Sequence, residues 1–225
     1  MARGRRRADG RPAKRRPRWG MVIDLGRCVG CETCAVACKI AHDLPDGVFW
    51  NRVVTVGGAG LDVPGGTVEE PQAFALPLAC QHCADAPCVK VCPTGATHQR
   101  PDGIVLVDHD RCIGCRACVQ ACPYGARTFV RRPPRHAVGF ALGDGTRHVQ
   151  GVVEKCTFCS ERVDQGLEPV CVTVCPARAR FFGDLGDPGS LVSRLIAEHG
   201  GETLHPELGT RPSVYYLRPR QGGRR

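Results

Sequence analysis

Sixteen cysteines dominate the chemistry that this 225-residue chain can perform, and they fall into four groups of four. The first and third groups are spaced C-x2-C-x2-C-x3-C, the second C-x2-C-x4-C-x3-C, and the fourth C-x2-C-x11-C-x3-C. The groups are Cys28, Cys31, Cys34 and Cys38; Cys80, Cys83, Cys88 and Cys92; Cys112, Cys115, Cys118 and Cys122; and Cys156, Cys159, Cys171 and Cys175. Thiolates at such short spacings bind metals, and no cysteine is left over.

The spacing distinguishes three kinds of cysteine-rich site. In a C-x2-C-x2-C run, three thiolates reach three irons of one cubane cluster, and the fourth cysteine binds the other cluster of a two-cluster unit. Structural zinc sites instead use two C-x2-C pairs separated by a longer loop. Disulfide scaffolds are usually short secreted domains that follow a signal peptide. The pattern therefore predicts iron–sulfur clusters rather than zinc or disulfides.

The fourth group keeps the C-x2-C start and the C-x3-C-P end, but eleven residues separate its second and third cysteines. The added segment is polar, and Gly166 and Pro169 within it favour turns. A loop between the second and third ligands need not displace either of them. We interpret this group as a complete ligand set that carries a surface loop, and docking is one role for that loop.

Short strands and helices are expected to position these groups. The repeated unit is a strand, a cluster-binding loop, a short helix and a second strand. We expect the fourth cysteine to open a helix, and the proline that follows it to fix the backbone where the chain leaves the cluster. Two such units make a two-cluster ferredoxin. Four units therefore predict an α+β fold of two bacterial-ferredoxin-like domains with loop insertions.

Local signals place most of the elements. Strands are expected at GMVID, NRVVTV, IVLVD, GARTFV, GVVEKC and SVYYL. Helices are expected at AVACKIAHDL and SLVSRLIAEHGG, the second of them capped by Ser190 and Gly200. Asp102 and Gly103 predict the turn of a hairpin between GATHQR and IVLVD. We expect residues 43–79 to be an irregular insertion.

The domain order follows from the way the groups pair. The simplest nested arrangement pairs group two with group three, and group one with group four. The resulting segments are 1–18, a disordered basic tail; 19–79, the first half of domain A plus the insertion; 80–150, domain B; 151–190, the second half of domain A; and 191–225, a C-terminal extension of a helix and a strand.

The net charge of +9 says little about partners, because residues 1–18 alone supply +8 of it. Each oxidised cluster with four thiolates carries roughly two negative charges, which offset most of the positive charge of the chain. A basic tail can contact nucleic acid or anionic lipid, but we interpret it as a disordered extension and expect no nucleic-acid partner. We find no export signal and no run of 18 apolar residues that would span a membrane. Aromatic residues make up only 5% of the chain, so we expect metal binding to support a small core.

Several stretches resemble one known family. CQHCADAPCVKVCPTGAT, RCIGCRACVQACPYGARTF, the fourth group through ARARFFGDLGDPGS, and the ending GTRPSVYYL are similar to the four-cluster electron-transfer subunit of the complex iron–sulfur molybdoenzymes. GMVIDLGRCVGCETCAVACK matches the opening group of that family. The family includes dimethyl sulfoxide, polysulfide, thiosulfate, tetrathionate and arsenate reductases. The resemblance covers about residues 19–217.

The resemblance implies a place in a larger complex. Such a subunit relays electrons between a molybdopterin-containing catalytic subunit and a membrane anchor subunit that exchanges electrons with quinone. The chain would be associated with the membrane through these partners, on either of its faces. Residues 176–225 carry no membrane helix, which favours the branch with a separate multi-span anchor over the formate-dehydrogenase-like branch.

The resemblance also implies which cysteines hold each of four [4Fe-4S] clusters. The sets are Cys28, Cys31, Cys34 and Cys175 for cluster 1, nearest the molybdenum; Cys156, Cys159, Cys171 and Cys38 for cluster 2; Cys80, Cys83, Cys88 and Cys122 for cluster 3; and Cys112, Cys115, Cys118 and Cys92 for cluster 4, nearest the membrane. Nitrate-reductase-like members have an aromatic residue in place of Cys115 and a three-iron cluster there. The cysteine at this position predicts a four-iron cluster.

No general base, oxyanion hole or substrate pocket has a sequence signature, so we expect the chain to move electrons without transforming a substrate itself. The alternatives are a subunit of a formate dehydrogenase or hydrogenase, and a free polyferredoxin. Arg111, Arg116 and Lys155 adjoin ligands, and either raise cluster potentials or are solvated surface charges. His82 is interpreted as structural, because its group is already full. GGAG at 57–60 is interpreted as a turn.

Overall fold

The computed structural model describes residues 15–58, 63, 65–68, 70–135 and 147–218. Its helices are α1 Thr33–Ala41, α2 Pro87–Lys90, α3 Ala117–Gln120, α4 Ser160–Asp164, α5 Val170–Thr173 and α6 Leu191–His199, with a 3-10 turn at Pro206–Leu208. Its strands are β1 Trp19–Asp24, β2 Asn51–Val56, β3 Gly65–Gly66, β4 Pro71–Gln72, β5 Phe74–Ala79, β6 Thr97–Gln99, β7 Val105–Val107, β8 Thr128–Phe129, β9 Val153–Glu154, β10 Arg180–Asp184 and β11 Val214–Leu217. This mixture of short elements is of the α+β class.

The largest sheet of the described residues joins the two ends of the chain. β1 lies in its centre, antiparallel to β10 and parallel to β11. The segment 191–225, expected as a C-terminal extension of a helix and a strand, contains α6 and β11, and β11 completes this sheet. Helix α6 packs on the sheet through Val192, which is buried against Val22 and Leu217. Ser190 and Gly200 cap this helix as predicted.

The expected irregular insertion contains an ordered ladder. β2 and β5 pair antiparallel over six residues, from Asn51 opposite Ala79 to Val56 opposite Phe74. The strand at NRVVTV is therefore confirmed, and the expectation of irregular structure around it was wrong. Pro77 concealed β5 from sequence analysis, since proline is confined to strand edges. Within the described part of the chain β5 pairs only with β2, so it is an edge strand there.

The shorter hairpins lie where local signals predicted them. β6 and β7 pair antiparallel across the turn at Asp102 and Gly103, and the Gly103 amide donates to the Arg100 carbonyl at 3.0 Å. β8 and β9 pair within GARTFV and GVVEKC, and each covers only two residues. The predicted strands exist, but these two are shorter than the stretches that suggested them.

The relation between the cysteines and the helices differs from the expectation. Helices α2, α3 and α5 carry the third cysteine of their groups and end before the fourth. The fourth cysteine therefore follows the helix and does not open one. A proline at 93, 123 and 176 follows this cysteine, and the residue before a proline is disfavoured in helical conformation. Cys38 is followed by Lys39 instead, and α1 continues through it to Ala41.

The cysteines are part of the apolar core. Cys34 and Cys171 pack with residues of the central sheet, including Ile23, and with Phe158. The same cluster contains Ile104, which links the two predicted domains in one core. Other buried cysteines lie in two further clusters: Cys83, Cys88 and Cys118 in one, and Cys38 in the other. The division into domains at residues 80 and 151 stays a prediction.

Some expectations fall on residues outside the described ranges. These are residues 1–14 of the basic tail, residues 59–62, 64 and 69 of the insertion, residues 136–146 of the segment that links β8 to β9, and residues 219–225 of the C-terminal segment. The end of the tail, residues 15–18, is described, and the expectation of a disordered tail stays a prediction. Arg15 forms an ion pair with Asp184, and the Arg18 amide donates to the same carboxylate at 2.8 Å.

Candidate metal centres

Among the described residues, three cavities are each lined by a set of four cysteines from two groups, which we call sites 1 to 3. Site 1 has Cys28, Cys31, Cys34 and Cys175; site 2 has Cys38, Cys156, Cys159 and Cys171; and site 3 has Cys80, Cys83, Cys88 and Cys122. Cys80 of site 3 also lines the cavity of site 2. Each site takes three thiols from one group and the last thiol of another, and the structure thus brings together distant parts of the chain.

The four other cysteines are not joined by one of these cavities. Cys112 and Cys118 pack beside the cysteines of site 3. Helices α2 and α3 contact each other, and Cys92 follows the first of them. The Cys92 sulfur accepts a hydrogen bond from the Thr97 amide at 3.3 Å. Cys115 lies exposed at the surface.

The four C-x2-C segments share one backbone conformation. We call the four residues from the first to the second cysteine of each group a knuckle. The residue before the second cysteine has a left-handed backbone in every knuckle, with φ of 69° at Gly30, 42° at His82, 66° at Gly114 and 56° at Phe158. This turn directs amides toward sulfur, and the Phe158 amide donates to the Cys156 sulfur at 3.4 Å.

The knuckles differ in their exposure to solvent. In the outer knuckles, 28–31 and 112–115, the second cysteine is exposed, and beside it Val29 is 73% and Ile113 66% exposed. In the inner knuckles, 80–83 and 156–159, the second cysteine is buried. Each inner knuckle also buries the residue that precedes it, which is His82 or Phe158.

The two inner knuckles pack on each other. The rings of His82 and Phe158 stack with centroids 3.7 Å apart, and Phe158 also meets the edge of Phe182. His82 Nδ1 accepts a hydrogen bond from the Val105 amide at 3.0 Å. Burial holds the pKa of His82 well below its ordinary value. These contacts agree with the structural interpretation of this histidine.

Burial raises the pKa of several cysteine thiols at the sites. It raises the pKa of Cys83 and of Cys156 to about 12, and that of Cys38 well above its ordinary value. At Cys92 burial acts in the same direction, but hydrogen bonds from Thr97 and Thr94 outweigh it and lower the pKa to about 7. Since metals bind thiolates, metal binding at the inner knuckles must release protons.

The donors around the sites fit a [4Fe-4S] cluster. The Ala179 amide donates to the Cys175 sulfur at 3.3 Å, and the Val170 amide donates to the Cys159 sulfur at 3.4 Å. Asn51 lines site 2 and Arg127 lines site 3, and each has a buried nitrogen, Nδ2 and Nη2, without a partner among the described residues. Buried donors are rarely left unpaired, and cluster sulfides would accept these bonds.

Two charged residues at these sites escaped sequence analysis. Arg180 and Arg127 are buried, and Arg180 Nη2 donates to the Cys34 sulfur at 3.3 Å. Lys155, which the sequence placed beside a ligand, is also buried, so it is not a solvated surface charge. Arg111 and Arg116 are exposed. The sequence separation between Arg180 and its contacts gave no local signal for its position.

No helix among the described residues is long and apolar enough to cross a membrane. Three family profiles match the chain. Profiles described as 4Fe-4S dicluster domains match residues 71–133 and 111–179, and a profile described as a 4Fe-4S binding domain matches residues 25–47. Together they include all four cysteine groups.

Curated relatives match along most of the chain. A protein of Halobacterium salinarum described as an iron–sulfur subunit of a dimethyl sulfoxide reductase is 52% identical, over 88% of this chain and 78% of its own length. The arsenate respiratory reductase iron–sulfur subunit of a Shewanella species is 39% identical, over 89% of this chain and 96% of its own. A subunit of the sulfite dehydrogenase of Allochromatium vinosum is 41% identical, over 88% of this chain and 81% of its own length.

The chain belongs to the electron-transfer subunits of the complex iron–sulfur molybdoenzymes. As a member of this family, the subunit carries four [4Fe-4S] clusters and relays electrons. Its fold contains ferredoxin-like 4Fe-4S domains, and it works within a complex of several subunits.

Proposed function

We propose that each cluster takes three thiolates from one group and the last thiolate of a partner group. The cysteines that line sites 1, 2 and 3 would be the ligands of clusters 1, 2 and 3. Cys112, Cys115, Cys118 and Cys92 would hold cluster 4. Since Cys122 of group three lines the site of group two, the packing of α2 against α3 supports the reciprocal exchange of Cys92.

This exchange divides the chain into two ferredoxin-like domains. Groups one and four, within 19–79 and 151–190, share clusters 1 and 2. Groups two and three, within 80–150, share clusters 3 and 4. The stack of His82 on Phe158 lies between the inner knuckles of the two domains and supports an electron path that crosses there.

We propose that the subunit relays electrons between a molybdopterin-containing catalytic subunit and a multi-span membrane anchor that exchanges electrons with quinone. The observation that carries this proposal is the exposure of two knuckles and the burial of the other two. A wire between two partners needs an accessible cluster at each end and protected clusters in the middle. The knuckle at 28–31 would face the catalytic subunit, and the knuckle at 112–115 the anchor.

The chain itself sets how electrons pass. A bound [4Fe-4S] cluster supplies one-electron redox chemistry, and hydrogen bonds, burial and nearby charge set its potential. Amide donors to Cys156, Cys159 and Cys175 stabilise negative charge on sulfur. His82 and Phe158 fill the space between the inner knuckles and exclude water from it. The subunit would associate with the membrane through its partner, and the catalytic partner would set the substrate and the direction of electron flow.

Charged substitutions at the two outer knuckles test this arrangement. The Val29→Glu and Ile113→Glu variants place a carboxylate in the centre of each proposed contact, where a buried unpaired charge weakens binding. When the Val29→Glu chain is co-expressed with the catalytic and anchor subunits, it should recover at least about tenfold less catalytic subunit and the same amount of anchor subunit. The Ile113→Glu chain should recover less anchor subunit and the same amount of catalytic subunit. Affinity purification followed by subunit quantification measures both.

Leu208 is 50% exposed and lies in the 3-10 turn, so Leu208→Glu is the matched control and should retain both partners. Each variant should still contain about 16 iron per chain, as four cubanes require. Loss of the same partner from both knuckle variants would contradict the two-ended wire. Retention of both partners by both variants would place docking elsewhere on the surface.

A further inference from the structure

Three cationic side chains are buried between the cysteine sites. Arg180, Lys155 and Arg127 are 4%, 2% and 6% exposed. Among the described residues, none of the three forms an ion pair with an aspartate or glutamate. Burial of an unpaired charge is costly, so a structure retains one where another negative group compensates it. Their neighbours identify that group.

Arg180 lies between sites 1 and 2 and lines both cavities. Its Nη2 donates to the Cys34 sulfur of site 1 at 3.3 Å and to Asn51 Oδ1, which lines site 2, at 3.2 Å. Burial acts to lower the pKa of Arg180, but the thiolates of Cys171 and Cys34 outweigh it and raise the pKa. One guanidinium therefore serves ligands of two clusters.

Lys155 lies between sites 2 and 3. Its Nζ donates to the carbonyl of Cys156, a site 2 residue, at 2.9 Å, and to the carbonyl of Val105, which lines site 3. The ammonium thus contacts a cysteine of site 2 and a residue that lines site 3.

Arg127 lies between site 3 and the proposed ligands of cluster 4. It lines the cavity of site 3, and its Nη1 donates to Thr97 Oγ1 at 3.1 Å. The Thr97 amide in turn donates to the sulfur of Cys92, a cysteine of the cluster 4 set, at 3.3 Å. Arg127 is thus linked to site 3 directly and to the cluster 4 set through Thr97. The third junction therefore repeats the arrangement of the other two.

We propose that Arg180, Lys155 and Arg127 form a ladder of fixed counter-charges, one at each junction between successive clusters, that favours the reduced state of both neighbours. This inference rests on the ligand sets given under the proposed function. Each reduction adds one electron and one negative charge to a cluster, and no proton has to move when a fixed cation already balances that charge. The same cation also weakens the repulsion between two adjacent reduced clusters.

Neutral substitutions test the ladder through the cluster potentials. Arg180→Gln, Lys155→Gln and Arg127→Gln in the full chain with its clusters should each lower the midpoint potentials of two of the four clusters. We expect at least about a tenfold fall in each reduction equilibrium constant, which is about 59 mV for one electron. The measurement is an anaerobic redox titration followed by EPR, with iron content and circular dichroism as checks of integrity.

The pattern of overlap makes the test independent of which signal belongs to which cluster. One step of the redox titration should shift in both Arg180→Gln and Lys155→Gln. Another step should shift in both Lys155→Gln and Arg127→Gln. No step should shift in both Arg180→Gln and Arg127→Gln. A uniform shift of all four steps, or no shift in fully loaded variants, would overturn the proposal.

Two further variants separate charge from packing. Arg180→Lys and Arg127→Lys keep the charge, so they should preserve most of the wild-type potentials. If they shift the potentials as much as the glutamine variants do, charge is not the cause. Arg116 adjoins Cys115 but is exposed, so Arg116→Gln should shift no step by more than a small fraction of the Arg127→Gln effect. These potentials are measured without partner subunits, so failure of the ladder and failure of the relay between partners are separate outcomes.

Discussion

The outer and inner knuckles use the same left-handed turn for different purposes. The outer knuckles place glycine in that turn and leave an aliphatic side chain and a cysteine at the surface. The inner knuckles place a ring there, His82 or Phe158, and bury it completely. A ring in a left-handed backbone is strained, and the stacking of these two rings compensates for that strain.

This difference teaches how one ligand spacing can serve two environments. In the proposed arrangement, glycine would minimise the bulk around an outer cluster, so that a partner surface could approach the cysteine closely. A ring would instead fill the gap between the two inner knuckles and keep water away from their thiols. The cysteine spacing would then fix the positions of the ligands, and the residue before the second cysteine would suit each site to a partner surface or to a neighbouring cluster.

Loss of one ligand should show the largest contrast. Cys159→Ala removes a buried ligand, so we expect about 12 iron or fewer per chain in place of about 16, with a marked loss of soluble protein. Cys115→Ala removes an exposed ligand and should leave a soluble, folded chain with at least about 12 iron. Iron analysis and anaerobic thermal unfolding measure both variants. Equal melting temperatures would break the distinction between inner and outer knuckles.

Truncation of one side chain within an inner and within an outer knuckle should give the next largest difference. Phe158→Ala removes a fully buried ring and should cost about 3–5 kcal/mol, a fall in melting temperature of roughly 10 °C for a chain of this size. Ile113→Ala removes an exposed side chain and should stay within about 0.5 kcal/mol. Thermal unfolding of the cluster-loaded proteins gives both values. A fall for Ile113→Ala as large as that for Phe158→Ala would show that the surface side chain is buried in solution.

The two outer knuckles can be distinguished by their glycines. A Cβ at Gly114 would lie 2.0 Å from the Gly151 carbonyl oxygen, whereas a Cβ at Gly30 would meet the Ala75 Cβ at 3.2 Å. Both variants carry the cost of a left-handed backbone, about 1 kcal/mol, and Gly114→Ala adds a backbone clash for a total of about 3 kcal/mol. Thermal unfolding measures both variants, and Gly114→Ala should be the less stable of the two. The reverse order would contradict the close approach of Gly114 to Gly151.

The inserted segment of the fourth group should give the smallest effect. Asp164 is exposed, and its Oδ2 accepts from Arg100 Nη1 at 2.9 Å, which ties the segment to the β6–β7 hairpin. Asp164→Asn should cost about 0.5 kcal/mol and leave the iron content unchanged, because exposed ion pairs contribute little. The cost should fade at high salt. A loss of iron in this variant would mean that the segment holds the ligands in place.

Sequence analysis succeeded where the signal is local. The caps at Ser190 and Gly200 and the hairpin turn at Asp102 and Gly103 act within a few residues, and the structure confirms them. Strand β5 was missed because its pairing with β2 overrides the preference of Pro77. The sequence placed the helices after the fourth cysteines, because the effect of proline on the residue before it was overlooked. That residue is disfavoured in helical conformation, so three of the helices end before the cysteine.

The candidate sites show the same division between local and distant information. The spacing within each group predicted that the cysteines bind iron–sulfur clusters. The assignment of the cysteines to four ligand sets remains a prediction. The glycines at 30 and 114 hint at a left-handed turn, whereas His82 and Phe158 give no such signal, because the strain they bear is offset by a contact between distant segments. Arg180 contacts Cys34 across 146 residues of sequence, and charged residues are normally assigned to the surface.

The nested order of the cysteines also sets the order in which a ribosome can deliver them. All four thiols of site 3 lie between Cys80 and Cys122, so that site can close while the rest of the chain is still being made. Sites 1 and 2 join the first group to Cys175 and Cys171, and β11 completes the central sheet later still. Since synthesis supplies the N-terminal part first, the first group waits longest with its thiols uncovered. With the proposed ligand sets, site 3 is therefore the first of the three sites whose four thiols are all present on the growing chain.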